Sequence, residues 1–222
     1  MVKPSCLHTI YPAVVFRFVR FAITIYLMIV KPVVLVGGVV RLEPMALGHL
    51  DGLCEVGLAA ELWELTPSQV VTRTDMFGYV EFALGEQAKG TSLPFVTIEK
   101  ATGKIIGSTR FCAIDTANKR TEIGWTWVAP AWQRSAVNTE AKLLMLRHAF
   151  DVWKCNRVEF KTDALNLRSR AAIKRIGATE EGIFRQHIVC DSGRLRDSAY
   201  FSIIDSEWPS VKQRLEEILS VK

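Results

Sequence analysis

The run W-T-W-V-A-P-A-W-Q-R-S-A-V-N-T-E-A, from Trp125 to Ala141, is where residue types and spacing first suggest chemistry. An alternating strand pattern stops at Val128, Pro130 breaks the ladder, and a short polar stretch leads into a long helical pattern. The first amides of a helix have no partner inside it, and its dipole adds partial positive charge. Such a junction therefore binds anions, phosphate most often. The same junction also reads as a simple capped helix, since most strand–loop–helix turns bind nothing. No G-x-x-x-x-G-K-[S/T] and no G-x-G-x-x-G occurs, so neither a Walker loop nor a dinucleotide fingerprint is present. Cys6, Cys54, Cys112, Cys155 and Cys190 lie far apart without a C-x-x-C pair, which argues against a disulfide scaffold and a zinc site. Reduced thiols in a cytosol-like, cytoplasmic compartment follow as the simplest expectation.

The elements that must position this junction read as follows. Val33–Leu42 is a strand or strand–turn–strand ended by Glu43-Pro44. Helices are expected over His49–Ala60 and from a Thr74-Asp75 cap to about Gln87, closed by Lys89-Gly90. Strand patterns cover Leu93–Glu99, Ile105–Ile114 and Lys119–Val128. A helix over Thr139–Trp153, a short strand Val158–Thr162 and a helix Ser169–Ile176 ending at Gly177 come next. Gly182–Cys190 and Leu195–Ile204 form a hairpin, and Pro209–Leu219 is a closing helix. The order, two helices, hairpins, β-α-β-α and a last hairpin, implies an α+β domain over about 33–205 with a helical tail.

The chain has 222 residues, 49% apolar and 23% charged, enough to bury a full core and too apolar for disorder. Its net charge of +5 is concentrated in Lys3, Arg17, Arg20 and Lys31, with no acid before Glu43. The body carries no basic patch or RNA-binding motif, so a nucleic-acid partner is not expected. The apolar run 10–30 tempts a membrane reading, but Arg17 and Arg20 sit near its middle, each costing about 2.5–3.5 kcal/mol at a bilayer centre. Residues 1–31 therefore read as an apolar, basic extension outside the folded body. It is poorly ordered, targeting, or not native sequence at all with the true start at Met28.

V-x-P-x-x-Q/R-x-x-G-x-G/A before a long helix resembles the acetyl-CoA pyrophosphate loop of the GNAT N-acetyltransferases, with Val128, Pro130, Gln133, Ala136 and Asn138 in its positions. Downstream, Asn166, Ser169, Gly177, Glu181, Gly182 and Arg185 resemble the N-x-x-S, helix-end Gly and E-E-G-x-x-R of the RimJ/RimL-like branch, which acetylates ribosomal-protein N-termini. The closing R-D-S-A-Y-F-S-I-I-D-S-E-W-P and the opening Val33–Leu53 fit the same branch, so the resemblance covers about 33–210 of a domain expected to span 32–222. It implies a mixed, mostly antiparallel central sheet flanked by helices, with strands splayed at the acetyl-CoA site. It also implies acetyl transfer from acetyl-CoA to a primary amine, a protein N-terminus or a small amine, by direct attack in a ternary complex. The alternative is a non-catalytic acyl-CoA-binding module. No metal is implied, and a monomer or homodimer is expected.

The resemblance also distributes roles. Trp127, Val128, Gln133, Arg134, Ser135, Ala136, Val137, Asn138, Thr139, Asn166 and Ser169 are expected around the coenzyme, with a backbone amide near Val128 facing the developing oxyanion. Ala136 and Asn138 replace the loop glycines that let backbone approach phosphate at positive φ. Ile173 stands where many relatives carry a Tyr acid. Glu122 is the candidate base, because an amine is mostly protonated at pH 7 and must lose a proton before attack. Its other reading is a rim carboxylate paired with Lys119 or Arg120. Strand alternation places Glu122, Gly124 and Thr126 on one face. Ser169 is a candidate proton donor to the departing thiolate, or an N-cap-like hydroxyl. Trp63 and His187 are acceptor-site candidates, His148 is structural, and Trp125, Trp127 and Trp132 pack either pantetheine or core.

Overall fold

Phe95 and Val96 are neighbours in one strand yet enter different cores, and that alternation organises the molecule. The computed structural model describes residues 28–220, so all but the last few residues of the N-terminal extension lie outside it. Met28 is buried in the larger core, and Trp153 Nε1 donates to the Ile29 carbonyl at 3.1 Å.

One eight-stranded sheet runs through the domain: β1 (Leu35–Val36), β2 (Val40–Pro44), β3 (Leu93–Glu99), β4 (Ile105–Asp115), β5 (Arg120–Val128), β6 (Arg157–Asp163), β7 (Thr179–Val189) and β8 (Leu195–Ile204). The spatial order is β1-β2-β3-β4-β5-β6-β8-β7, antiparallel throughout except for β5 beside β6. That parallel step needs a crossover, supplied by α3 (Val137–Arg147) and its wider closing turn His148–Val152. On one face, α1 (Leu50–Gly57) and α2 (Arg73–Ala88) cover Leu53, Met76, Tyr79, Val96 and Trp127. On the other, α3, α4 (Leu167–Arg175) and α5 (Trp208–Ser220) cover Phe95, Phe111, Leu146, Phe160 and Leu215.

The element pattern from sequence holds with shifts at the ends. β1 and β2 are the strand–turn–strand alternative, and Glu43 and Pro44 continue β2 rather than ending it. The first helix breaks into a one-turn start at Leu47–His49, then α1, then a single turn Ala60–Leu62. α2 begins two residues earlier than expected. Thr72 is its cap, accepting from the Asp75 amide at 3.1 Å while Asp75 accepts from the Thr72 amide at 2.9 Å.

Candidate active site

Past Pro130 the chain makes a single 3-10 turn, Pro130–Trp132, and Arg134 then takes φ +60, a left-handed value unusual for a side chain of this size. Gln133 locks the turn from within, donating to the Val128 carbonyl at 2.8 Å and accepting from Arg168 at 2.9 Å. Ser135 donates to the Trp132 carbonyl at 2.6 Å. The amides of Arg134, Ser135, Ala136, Asn138 and Thr139 donate to no group among the described residues. The Asn138 side-chain carbonyl oxygen is buried with no partner among them either. Unpaired amides bent around a left-handed residue at a helix start form an anion-binding concavity. Arg134, Arg168 and Arg175 line the same opening and add charge of the matching sign. The unpaired amides and the guanidinium groups fit the diphosphate of acetyl-CoA, whereas the Asn138 oxygen can only accept and so would take a donor rather than a phosphate oxygen.

The glycine replacements fall differently from the sequence expectation. Ala136 is helical at φ −68 and Asn138 lies inside α3, so neither position demands glycine. The strained conformation sits on Arg134 instead.

From this loop a cavity of about 820 Å³ runs inward along β5. It exists because β5 and β6 pair only over Arg120–Glu122 and then diverge, leaving residues 123–128 of β5 with β4 as their sole partner strand among the described residues. A second irregularity turns the side chains. Between the Ser108↔Trp127 and Arg110↔Gly124 pairs, Thr109 alone opposes both Trp125 and Thr126, and Trp125 takes φ +51. This β-bulge inserts one residue and reverses the alternation beyond it. Glu122, Gly124 and Thr126 therefore do not share a face. Glu122 and Gly124 turn to the α1–α2 side with Trp125, whereas Thr126 turns to α3, where Lys142 Nζ donates to its hydroxyl at 2.6 Å.

Glu122 is 7% exposed and forms an ion pair with Lys161 on β6 at 2.6 Å, where the strands part. The rim pairing with Lys119 or Arg120 does not form. Arg120 instead bonds Asp115 and Glu159, because β5 brings it beside them. Burial raises the Glu122 carboxyl above the ordinary carboxylate range although Lys161 pulls the other way. Lys161 is itself raised, the Glu122 charge and hydrogen bond outweighing its burial. Burial also pushes the Cys112 thiol up, reinforced by Glu122. Lys142 is 6% exposed, and burial pushes its ammonium down to about 7.

On the α1–α2 side the wall is aromatic. Trp63 packs edge-on to Tyr79 at 5.5 Å and against Trp127 at 5.8 Å, and its Nε1 donates to the Gly57 carbonyl at 2.8 Å. Trp63 thus both lines the cavity and belongs to the core, as does the Trp127 ring. The Arg110 guanidinium is 1% exposed and sits 4.3 Å from the Trp125 ring centre and 4.8 Å from that of Tyr79.

The remaining expectations separate cleanly. Trp127, Val128, Gln133, Arg134, Ser135, Asn138, Asn166 and Ser169 all border the cavity. Ala136, Val137 and Thr139 do not border it. Val137 is in the core, its amide turned to Ser135 Oγ, and Thr139 accepts from Arg175 at 3.1 Å. Asn166, not Ser169, caps α4, its Oδ1 accepting from the Ser169 amide at 2.9 Å, which leaves the Ser169 hydroxyl free of the cap. His187 does not border the cavity. It lies exposed on β7, bonded to Ser198 and Tyr200, because the hairpin displays that face to solvent. Trp132 also borders the cavity, and its Nε1 donates to Glu99 at 2.8 Å. Lys142, Lys161 and Arg110 escaped the sequence reading: nothing local sets them apart, Lys161 being one of four alternating charges from Arg157 to Asp163, and only the folded neighbours reveal their setting. Among the described residues no group of three His, Cys, Asp or Glu is placed to hold a metal, and no helix is long and apolar enough to cross a membrane.

Comparison with known proteins points to one family. The family model described as acetyltransferase (GNAT) domain matches residues 40–179. The protein of Bacillus subtilis named ribosomal N-acetyltransferase YdaF is 31% identical over 110 residues, 50% of this chain and 59% of that one. The uncharacterised N-acetyltransferase p20 of Bacillus licheniformis is 28% identical over 75% of this chain and 93% of its own. Among solved structures, a GCN5-related N-acetyltransferase from Brucella melitensis is 36% identical with TM-score 0.77, covering 84% of this chain and 85% of that one. Mycobacterium smegmatis RimJ, solved in complex with CoA-disulfide, is 26% identical with TM-score 0.69 over 85% and 93%.

Proposed function

This chain belongs to the GNAT acetyltransferase family, and we propose that it transfers acetyl from acetyl-CoA to a primary amine, by direct attack with both substrates held at once. The observation that carries this reading is the continuity of one cavity from Arg134, Ser135 and Asn138, whose amides are unpaired, to the parting of β5 and β6 at Glu122. A diphosphate held at the outer end leaves its thioester arm one path, along the free edge of β5. Arg134, Arg168 and Arg175 would hold the phosphates, and β5 amides would face the thioester oxygen, where such donors strengthen as charge develops. When bound, the coenzyme supplies an activated acetyl group.

The amine enters from the α1–α2 side, past Trp63, Tyr79 and Trp125. A protein N-terminus is the acceptor class favoured here, on the strength of the similarity to YdaF and RimJ. Glu122 takes the amine's proton, directly or through one water, with its partner Lys161 swinging aside. A carboxyl raised by burial is a better base near neutrality than an ordinary one. Ser169, on the opposite wall, orders the coenzyme arm.

Thermal denaturation with acetyl-CoA and a mass-spectrometric panel of peptides and amines tests this. Ligand at 100 times its Kd should stabilise the fold by about 2.7 kcal/mol. Binding without any acetylated product would leave a coenzyme-binding module. No stabilisation at millimolar acetyl-CoA would refute the reading altogether.

A further inference from the structure

Lys142 has no role in the reaction as described so far, although the fold treats it unusually. It is buried in α3 between Ala141 and Leu143, both core residues, and forms no ion pair among the described residues. Its ammonium ends on two hydroxyls, Thr126 Oγ1 at 2.6 Å and Thr109 Oγ1 at 3.4 Å, which bond each other at 2.7 Å. Thr109 is buried, whereas Thr126 is exposed on the cavity wall and the largely buried Lys142 borders the cavity behind it. An uncompensated buried cation is costly, and a core lysine kept for packing alone would be better served by methionine.

The bulge at Trp125 gives the array its place. It sends Thr126 to the α3 side of the sheet, against Lys142, while Glu122 stays on the α1–α2 side from which the amine is proposed to enter. Ile173 of α4 borders the same cavity and carries no proton. Thr126 lies midway along the free edge of β5, between the anion-binding loop and Glu122, which is the stretch where the thioester must lie.

We propose that Lys142, acting through the Thr126 hydroxyl, is the proton donor to the departing thiolate, in place of a side chain on α4. This rests on the acetyl-transfer reading above. As the amine nitrogen forms its bond to the acetyl carbon, the carbon–sulfur bond breaks and its electron pair goes to sulfur. Thr126 gives sulfur a proton and takes one from Lys142. Glu122 holds the proton lost by the amine and releases it to solvent, from which Lys142 is recharged. Counted from the neutral amine, nitrogen loses one proton and the thiol gains one; an amine that arrives as ammonium first gives its extra proton to solvent, so no further reactant is needed. Base and acid sit on opposite faces of one strand, which keeps them from neutralising each other.

The charged and titratable groups around the array leave its ammonium free to act. Cys112 on β4 is a neutral thiol, and Glu122 is held by Lys161 of β6. Arg175 of α4 bonds Thr139, Arg196 of β8 borders the far wall, and Glu140 turns away to the β1–β2 amides. Arg147 is paired with Glu216 of α5. Burial sets the ammonium near 7, well matched to proton transfer at neutral pH.

The test uses the full chain with acetyl-CoA and the best amine of the panel. Lys142→Met should lower kcat about 100-fold or more, remove the fall in rate on the alkaline side of pH 7, and leave the Kd for CoA within about threefold. Thr126→Val, on the cavity wall and no threat to folding, should do the same, while Thr126→Ser keeps activity. A thioester whose thiol is more acidic should need the donor less and restore most of the loss. Independently of turnover, protein labelled with 13C at the lysine ε carbon should show one resonance titrating near pH 7, absent from Lys142→Met. Unchanged kcat and pH profile in Thr126→Val, or a Lys142 resonance titrating with ordinary lysines, would overturn the proposal. Wild-type protein that binds acetyl-CoA but acetylates nothing would sink the acetyl-transfer reading first, and the donor role with it.

Discussion

Replacing Lys142 by Met should stabilise the protein, by an amount that depends on pH in a way no other substitution would copy. The native ammonium is pushed down to about 7 by burial, whereas a lysine in the unfolded chain titrates at about 10.4. Between pH 9 and pH 7 the native lysine is therefore neutral and the unfolded one charged. Unfolding takes up one proton, so wild-type stability falls as pH falls, by about 1.4 kcal/mol per pH unit. Over those two units the loss is about 3 kcal/mol. Below pH 7 both states are charged and the slope vanishes. The Lys142→Met protein has no such slope, so its advantage over wild type should grow by about 3 kcal/mol from pH 9 to pH 7 and then level off. In a chain of this size that corresponds to roughly 6–12 °C in Tm. Urea unfolding of both proteins at pH 9, 8, 7 and 6 measures it, because the difference cancels every other titrating group. Stability curves that run parallel from pH 9 to pH 6 would show that Lys142 keeps its charge, and the reasoning about its setting would be wrong.

Other outcomes follow from other parts of the molecule. Glu122→Gln should lower kcat at least tenfold and abolish the rise in rate on the acid side of the profile, with CoA affinity intact; an unchanged rate would remove Glu122 from proton transfer. Asn138→Asp places a negative charge among the unpaired amides at the start of α3. Calorimetry should show acetyl-CoA binding at least tenfold weaker while the dipole makes the free protein about 0.5 kcal/mol more stable, and equal affinity would deny the loop its phosphate. Gly107→Ala would drive a Cβ into the Trp127 carbonyl of the adjacent strand and to 3.1 Å from Val128 Cα, so denaturant midpoints should report a loss of about 1–3 kcal/mol. Glu181, paired with Arg157 and bonded to Ser202 at 2.7 Å, titrates at about 2 instead of near 4.5. Its contribution is present above pH 4.5 and lost as pH falls toward 2. Since the carboxylate is 39% exposed, Glu181→Gln should cost only about 1 kcal/mol at pH 7 and nothing at pH 2.

Much of the fold was legible in the residues. Period-two and helical patterns located every main strand and helix, because burying one face of a sheet or helix forces those periods on the sequence. The strand–loop–helix junction at 128–139 was readable for the same reason: Pro130 and the polar turn mark it locally, and helix-start amides are unpaired wherever a helix begins. What the sequence could not settle depended on distant contacts. The pairing of Glu122 with Lys161 and the seating of Lys142 against Thr126 join residues 39 and 16 apart along the chain. The bulge decided more than any single contact. Strict alternation put Glu122 and Thr126 on one face, but two β5 residues opposite Thr109 moved Thr126 to the other. A one-residue register slip leaves composition and periodicity almost unchanged, yet reverses every later side chain. The sequence alone thus determined which elements form and where an anion can be gripped. Tertiary structure alone decided which groups meet across the parted strands and on which side each stands, because register and burial arise from pairing between segments and not within any one of them.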